Sequence, residues 1–236
     1  MTWYREWFGE EYLELYSYRD EEEARRQVQF FRTKIGHIDG TILDLACGSG
    51  RHLVELAESG YQVAGCDLSY VLLRSGLRLD PSIRVARADM RALPFCDGTF
   101  AALVNFFTSF GYFEKEADNR ATVAEMSRVL QPGARFLFDY LNVDRELENL
   151  VQKEQKQTDF GAVSIERWFD HKARTFNKRI SWEDKSFLER VRAYDLAEIR
   201  EMFAASGFRI DEVCGDFEGG AFDESSTRMI VFGTRE

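Results

Sequence analysis

The sequence contains few of the residues from which metal and redox sites are built. Only four cysteines occur among its 236 residues, and none forms a Cys-x-x-Cys pair, so neither zinc ligation nor thioredoxin-type chemistry finds its usual spacing. The three histidines, His37, His52 and His171, are widely separated and give little support for a metal site. We therefore expect reduced thiols and no bound metal.

The chain also lacks a long apolar run and an excess of positive charge. No stretch of roughly 18 apolar residues is present, and the N-terminus does not have the charged-then-apolar pattern of a signal peptide. The sequence has 31 Lys and Arg against 41 Asp and Glu, a formal net charge of -10, so it exerts no general attraction on phosphates. We expect a cytoplasmic protein that binds neither membranes nor nucleic acid.

One stretch, residues 41–52, organises the rest of the chain and reads TILDLACGSGRH. Leu43 and Leu45 lie in an apolar run that is typical of a buried parallel strand, and a helical pattern follows the stretch. Between them, Gly48 and Gly50 allow a tight turn whose backbone a ligand can approach. The stretch therefore predicts a strand, a ligand-binding turn and the start of a helix.

The same turn distinguishes two classes of cofactor. A dinucleotide-binding sequence has the form Gly-x-Gly-x-x-Gly, but its third glycine position is occupied here by Leu53. Asp44, inside the strand, places negative charge where a pyrophosphate would have to bind, whereas a carboxylate suits a cationic ammonium or sulfonium group. An NAD-dependent oxidoreductase therefore stays only as a less favoured alternative.

Further apolar runs predict a doubly wound α/β sheet. Additional strands are expected at residues 61–66, 83–88, 100–107, 134–140, 208–213 and 228–234, and helices at residues 21–35, 51–59, 72–79, 119–130 and 195–207. Asp67 follows the second strand about 20 residues beyond the glycines, where a ribose-binding carboxylate belongs. Residues 214–227 show no helical face, so no crossover helix is available and the last strand should run antiparallel.

The run Asp44-Leu-Ala-Cys-Gly-Ser-Gly resembles the first motif of class I S-adenosylmethionine-dependent methyltransferases. Later matches follow in the order of that family, with Asp67-Leu68 after the second strand and Asp89-Met90 after the third. The resemblance implies S-adenosylmethionine as cofactor and a Rossmann-like sheet of seven strands, mostly parallel, with the last strand antiparallel. The chain is similar in particular to a bacterial small-molecule subgroup and to aminosugar and glycine N-methyltransferases.

The resemblance also implies where the cofactor binds. Asp44 would orient its ammonium group, and Asp67 would accept both ribose hydroxyls. Leu68 and Met90 would flank the adenine, and Asp89 would accept a hydrogen bond from its amino group. By resemblance, the cofactor-binding residues are Asp44, Ala46, Gly48, Gly50, Asp67, Leu68, Asp89, Met90, Asn105 and Tyr16.

An aromatic loop follows the fourth strand, at the end of the sheet where open parallel sheets bind ligands. In residues 105–113, five aromatic residues are interleaved with polar ones, which favours lining of the methyl-transfer pocket over plain core packing. An amine acceptor must lose a proton, and the candidate bases are Tyr112, Asp139 and His52. For His52 a solvated or helix-capping role is the stronger expectation, and for Asp139 and Asn142 turn capping is an equal alternative.

The chain is expected to have three parts. They are an N-terminal helical lid at residues 1–36, a cofactor-binding methyltransferase domain at residues 37–145 and 191–236, and an inserted β cap over the substrate pocket at residues 146–190. In the lid, Tyr12 or Tyr16 would close over the cofactor. The pattern of residues 144–158 indicates a helix. Apolar residues then recur at about every second position, with a turn at residues 170–174, which predicts a small antiparallel sheet. An edge addition or a dimer surface is the alternative role for this sheet.

Together these features predict an enzyme that transfers a methyl group from S-adenosylmethionine to a nitrogen or oxygen of a small-molecule acceptor. A protein that binds S-adenosylmethionine without turnover is the main alternative. The sequence is compatible with a monomer or a homodimer. Specificity for the acceptor would depend on the aromatic loop, the lid and the inserted sheet.

Overall fold

The computed structural model of the protein describes residues 3–16, 21–158 and 161–236. The strands are β1 (Thr41–Leu45), β2 (Gln62–Asp67), β3 (Val85–Arg87), β4 (Phe100–Asn105), β5 (Leu130–Leu141), β6 (Lys153–Thr158), β7 (Gly161–Asp170), β8 (Thr175–Trp182), β9 (Lys185–Arg192), β10 (Phe208–Cys214) and β11 (Arg228–Arg235). The helices are α1 (Trp3–Trp7), α2 (Glu10–Leu15), α3 (Glu21–Ile35), α4 (Arg51–Glu58), α5 (Tyr70–Leu79), α6 (Glu116–Val129), α7 (Val143–Glu148) and α8 (Leu196–Ala205). Within the described ranges, no helix has the length and apolar composition needed to cross a membrane.

Seven strands form the main sheet in the order β10-β11-β5-β4-β1-β2-β3. The pairs among β1 to β5 are parallel, whereas β11 runs antiparallel to both β5 and β10. The predicted fold, a doubly wound and mostly parallel sheet with its last strand reversed, is therefore confirmed. The reversal has the expected cause, because residues 215–227 contain no helix that could carry the chain back across the sheet.

Helices cover both faces of the main sheet. On one face Phe136 of β5 stacks on Phe203 of α8, with ring centroids 5.2 Å apart, in a cluster that also includes residues of α6. On the other face Leu137 packs in a cluster with Phe31 of α3 and Leu56 of α4. Since both faces of the central strands are buried in this way, their carboxyl ends are the part of the sheet left to bind a ligand.

The inserted sheet is larger than the sequence predicts. Strands β6 to β9 form it in sequence order with antiparallel pairing, and the predicted turn joins β7 to β8. The expectation of helix across residues 144–158 is wrong beyond α7, because residues 153–158 form β6. This strand has the sequence KEQKQT, which carries no apolar period, and backbone pairing with β7 defines it instead.

The N-terminal segment forms two short helices before α3. Trp7 of α1 and Leu15 of α2 pack on the inner face of the inserted sheet, against residues such as Ile165. Helix α3, which lies within the expected lid of residues 1–36, packs on the main sheet. Residues 1–2 and 17–20, including Asp20 of the predicted acidic first turn of α3, lie outside the described residues. The division into three parts stays a prediction.

Candidate active site

A cavity of about 600 Å³ lies at the carboxyl ends of β1, β2 and β4, a size within the range of roughly 300 to 1,000 Å³ that is usual for small-molecule sites. The chain passes from β1 to β2 on one side and returns to β4 on the other, so the cavity lies where the strand order reverses. The short helices α1 and α2 and the inserted sheet supply the opposite wall. The cavity is therefore enclosed between the main sheet and the inserted sheet.

The glycine turn at the end of β1 forms the floor of this cavity. Gly48 and Gly50 have φ angles of 58° and 82°, in the left-handed region that favours glycine. The amide of Gly50 donates to the carbonyl of Cys47 over 2.9 Å, and α4 begins at the next residue. Gly76, inside α5, is a further requirement that sequence analysis missed. A Cβ atom there would lie only 2.2 Å from the carbonyl oxygen of Ser49.

Gly76→Ala is expected to destabilise the protein, although alanine favours a helix by about 1 kcal/mol over glycine. The added methyl group must displace the backbone of Ser49, and overpacking of this kind costs about 1 to 3 kcal/mol. We expect a thermal midpoint lower by about 2 to 6 °C and weaker cofactor binding, measured by thermal denaturation and by calorimetric titration. Arg78→Ala, at an exposed position of the same helix, is the matched control. If the Gly76→Ala protein is as stable as the parent, Gly76 does not lie as close to the backbone of Ser49 as the structure indicates.

Asp67 lies at the end of β2 and lines the cavity beside the glycine turn. Its carboxylate accepts hydrogen bonds from the amide of Gly48 over 2.9 Å and from the amide of Ser69 over 2.7 Å. Burial raises the pKa of Asp67, and these backbone hydrogen bonds act in the opposite direction. The side chain therefore joins the ends of β1 and β2 while it faces the ligand cavity.

Asp44 also lines the cavity, and it is only 2% exposed. Its Oδ2 atom accepts no hydrogen bond from any group in the described part of the chain. Burial, and to a smaller extent the negative charge of Asp67, raise the pKa of Asp44 to about 8, although Arg51 acts in the opposite direction. A buried carboxylate oxygen without a partner is costly, and a cationic group of a ligand would satisfy it. The residues present therefore fit the ammonium group of S-adenosylmethionine.

The end of β3 supplies a third acid to the cavity. Asp89, Met90 and Leu68 all line it. Arg91 holds the carboxylate of Asp89 through contacts of 2.7 and 3.0 Å, and Arg5 lies 3.6 Å from it. The hydrogen bond from Arg91 lowers the pKa of Asp89 despite partial burial. Asp89 is therefore an ionised acceptor, and any ligand group that it binds must share an oxygen with arginine.

Of the other predicted binding residues, some line the cavity and others lie behind the residues that line it. Ala46 and Tyr16 line the cavity, whereas Gly50 and Asn105 are not among the lining residues. Ala46 has a φ angle of 60°, which is strained for a residue with a side chain. The amide group of Asn105 donates to the carbonyl of Leu45 over 2.7 Å and is buried. Asn105 therefore supports the end of β1 from behind.

Tyr112 and His52 both reach the cavity, in different surroundings. The hydroxyl group of Tyr112 donates to the carbonyl of Thr108 over 2.7 Å, and its ring lies parallel to that of Phe8 at 5.9 Å. His52 is 5% exposed and stacks on Phe106 at 4.2 Å, so the expectation of a solvated or capping histidine is wrong. Its Nε2 atom lies 2.6 Å from the side-chain oxygen of Gln27, and burial lowers its pKa.

Asp139 and Asn142 are not among the residues that line the cavity, which favours the alternative in which they support turns. One carboxylate oxygen of Asp139 accepts from Arg228 over 2.8 Å and the other from the amide of Phe107 over 2.8 Å. The side chain of Asn142 donates to three carbonyl groups of residues 223–226. Both residues therefore hold loops in place, and the structure does not support Asp139 as a base.

The opposite wall contains functional candidates that sequence analysis missed. Lys156, Arg167, Lys178 and Glu189 of the inserted sheet all line the cavity, together with aromatic residues of α1 and α2. Little in the sequence indicated that these residues line a cavity, because charged residues on strands normally face water. Only the pairing of β7, β8 and β9 brings Arg167, Lys178 and Glu189 onto one row.

A glycine turn and two strand-end carboxylates around one cavity define a Rossmann-like protein that binds a cationic nucleoside. Comparisons with known proteins agree, since residues 42–133 match the family described as "Methyltransferase domain". YqeM of Bacillus subtilis (strain 168), which is named as a methyltransferase, is 26% identical over 209 residues that cover 81% of this chain and 82% of the relative. The chain is therefore similar to methyltransferases, which supports the predicted resemblance to the class I S-adenosylmethionine-dependent family.

Two further similarities are more limited in scope. A glycine/sarcosine N-methyltransferase of Parasynechococcus marenigrum (strain WH8102) is 34% identical over 124 residues. The matched region is 50% of this chain but only 44% of that protein. The CcbJ methyltransferase from Streptomyces caelestis has the same fold, with a TM-score of 0.78, 18% identity, and coverage of 91% of this chain and 95% of that one. These likenesses leave the methyl acceptor to be inferred from the site.

Proposed function

We propose that this enzyme methylates a nitrogen or oxygen atom of a small-molecule acceptor and releases S-adenosylhomocysteine. The observation that carries the proposal is the buried Asp44 carboxylate, whose unpartnered oxygen lies beside the glycine turn. The inserted sheet and the N-terminal helices enclose the remaining space, which suits a small acceptor better than a macromolecule. The similarity to a glycine/sarcosine N-methyltransferase supports nitrogen as the acceptor atom.

We assign the binding roles by position in the cavity. Asp44 would hold the ammonium group of the cofactor against the turn at Ala46 and Gly48. Asp67 would accept the ribose hydroxyls, because it is the acid at the end of β2. At the end of β3, Asp89 would accept from the adenine amino group. The side chains of Leu68 and Met90 would flank the adenine. Tyr16 would lie above it, and Gly50 and Asn105 would act as supports.

The bound cofactor supplies a methyl group on a positively charged sulfur, so the chain itself has to align the acceptor and exclude water. Aromatic residues suit this task because their faces attract cations by about 0.5 to 2 kcal/mol without solvating them as water does. Tyr112 lines the cavity, and its ring contacts the rings of Trp3 and Phe8. We assign Tyr112 to hold the acceptor by its hydroxyl group. His52 stays a weaker candidate base, because its pKa is lowered and its Nε2 atom already contacts Gln27.

The proposal is tested by release of S-adenosylhomocysteine over a panel of amines and hydroxyl compounds. We expect turnover with at least one acceptor and a product heavier by one methyl group. Tyr112→Phe should lower kcat about tenfold or more with little change in cofactor affinity, because it removes the acceptor contact and a hydrogen bond to Thr108 but no group assigned to the cofactor. Binding of S-adenosylmethionine without turnover over the panel would favour the non-catalytic alternative. Binding of NAD in a parallel titration would favour an oxidoreductase.

The remaining partners follow from the same proposal. The acceptor would be a metabolite, with no nucleic acid required. A cytoplasmic location and a monomeric or homodimeric state stay predictions, which fractionation of cells and analytical ultracentrifugation would check.

A further inference from the structure

The aromatic loop that follows β4 contains two consecutive residues in a strained backbone conformation. Phe107 and Thr108 have φ angles of 65° and 48°, in the left-handed region that residues with a side chain rarely adopt. Asp139, near the end of β5, holds both of them. Its carboxylate accepts from the amide of Phe107 over 2.8 Å, and its backbone carbonyl accepts from the amide of Thr108 over 3.1 Å. Because Phe107 and Thr108 line the cavity, this strained turn belongs to the wall of the active site.

Arg228 determines how the hydroxyl group of Thr108 is oriented. This arginine is the first residue of β11, and its Nε atom donates over 2.8 Å to the carboxylate of Asp139, a side chain that is only 1% exposed. Its Nη2 atom lies 2.6 Å from Oγ1 of Thr108. A guanidinium group has hydrogen-bond donors and no acceptor, so Oγ1 must accept from Arg228. The hydroxyl proton of Thr108 therefore points away from the arginine and can be donated to another group.

Three hydroxyl groups of the aromatic loop, those of Thr108, Ser109 and Tyr112, belong to residues that line the cavity, but their protons are used differently. The hydroxyl group of Ser109 donates to the carbonyl of Phe106 over 3.2 Å, and that of Tyr112 donates to the carbonyl of Thr108 over 2.7 Å. The hydroxyl proton of Thr108 has no acceptor within residues 3–16, 21–158 and 161–236. Of these three groups, the hydroxyl group of Thr108 is therefore the one left to donate to a ligand.

Building on the proposed methyl transfer, we propose that Thr108 binds the methyl acceptor by donating its hydroxyl proton to a carbonyl, carboxylate or hydroxyl oxygen of that molecule. The hydrogen bond from Arg228 polarises the hydroxyl group and makes it a stronger donor. The oxygen that it binds is distinct from the atom that is methylated, because a hydrogen bond to the attacking lone pair would occupy the electrons that form the new bond. Since the carbonyl of Thr108 also holds Tyr112, both residues bind the acceptor from the same loop.

The test compares two neutral probes by ligand-observed NMR titration of the full chain saturated with S-adenosylhomocysteine. Acetophenone and α-methylstyrene have nearly the same shape, but only the ketone has an oxygen that accepts a hydrogen bond. A change in the ratio of their dissociation constants between parent and variant therefore reports the donor and not the packing of the ring. Thr108→Val keeps the branched shape and removes the hydroxyl group, so we expect this ratio to shift about fivefold in favour of α-methylstyrene. The affinity of this variant for S-adenosylhomocysteine, measured by calorimetric titration, should stay within about twofold of the parent.

Three further variants complete the comparison. Thr108→Ser keeps the hydroxyl group and should keep the ratio of the parent, whereas Thr108→Ala lacks it and should shift the ratio in the same direction as Thr108→Val, even if the valine variant does not fold. Ser109→Ala is the matched control, because it removes a neighbouring hydroxyl group whose proton is already donated to Phe106, and it should leave the ratio unchanged.

Several outcomes would overturn the inference. They are a ratio that is the same in the parent and in the variants without the Thr108 hydroxyl group, an equal shift in Ser109→Ala, and failure of acetophenone to bind the parent. Loss of S-adenosylhomocysteine affinity beyond about twofold in Thr108→Val would assign the hydroxyl group to the cofactor and would overturn it as well. Failure of the parent to bind S-adenosylhomocysteine would instead remove the proposed function on which the inference depends.

Discussion

Asp67→Ala is expected to weaken the binding of S-adenosylmethionine by about 10²-fold or more. In the proposed complex its carboxylate accepts two ribose hydroxyls, and hydrogen bonds to a charged group contribute about 1.5 to 3 kcal/mol each. The carboxylate also accepts from the amides of Gly48 and Ser69. The substitution therefore removes ligand contacts and loosens the turn together. Calorimetric titration with S-adenosylmethionine measures the loss directly.

Two control variants separate these contributions. Asp67→Asn keeps one oxygen that can accept from a backbone amide but loses the charge, so we expect a smaller loss, about tenfold. Asp97→Ala removes an acid that is paired with Arg128 at an exposed position, and it should leave cofactor affinity unchanged. If Asp67→Ala binds S-adenosylmethionine as tightly as the parent, the assignment of Asp67 to the ribose fails.

The cofactor half of the site could be predicted because its signals are local in sequence. A glycine turn after an apolar strand fixes the position of Gly48, and each parallel strand carries its terminal acid to the same edge of the sheet. Asp44, Asp67 and Asp89 therefore had to meet once the strands were assigned, and the structure places all three on one cavity. The reversed last strand followed in the same way from the composition of the preceding loop.

The acceptor half could not be predicted, because it depends on contacts between residues far apart in the chain. Asp139 was a reasonable base at a strand end until Arg228, 89 residues later, was found to neutralise it. His52 has the sequence position of a solvated cap but stacks on Phe106 of a distant strand end. The row of Arg167, Lys178 and Glu189 arises only from strand register. Charged residues of this kind carry no apolar period that would reveal which face they occupy.

The affinity for S-adenosylmethionine is expected to rise about 50-fold between pH 6 and pH 8. In the free protein the pKa of Asp44 is about 8, raised mainly by burial, so the carboxyl group is protonated at pH 6. Only the ionised form attracts the ammonium group, and binding must therefore release a proton, at a cost of about tenfold in affinity for each pH unit below 8. Titrations at pH 6, 7 and 8 in buffers of different ionisation enthalpy give both affinity and proton release.

The carboxyl group of Asp44 also makes the folding stability depend on pH, and stability falls with rising pH whereas cofactor affinity rises. Its folded pKa lies above the unfolded value of about 3.9, so the folded state binds more protons in the window between them. The contribution of Asp44 to stability is therefore complete below pH 4 and is lost as pH rises toward 8. A bound ammonium group relieves this loss, so the thermal shift caused by S-adenosylhomocysteine should be larger at pH 8 than at pH 6.

Asp44→Asn tests both trends in one protein, because the amide has a similar shape and does not titrate. Its cofactor affinity should be low and nearly constant from pH 6 to pH 8, and its thermal midpoint relative to the parent should rise with pH. Asp89→Asn is the matched control at the same edge of the sheet. The pKa of Asp89 is already lowered by Arg91, so this variant should keep the parent's slope with pH. A parent affinity that is equal at pH 6 and pH 8 would show that Asp44 does not bind the cation.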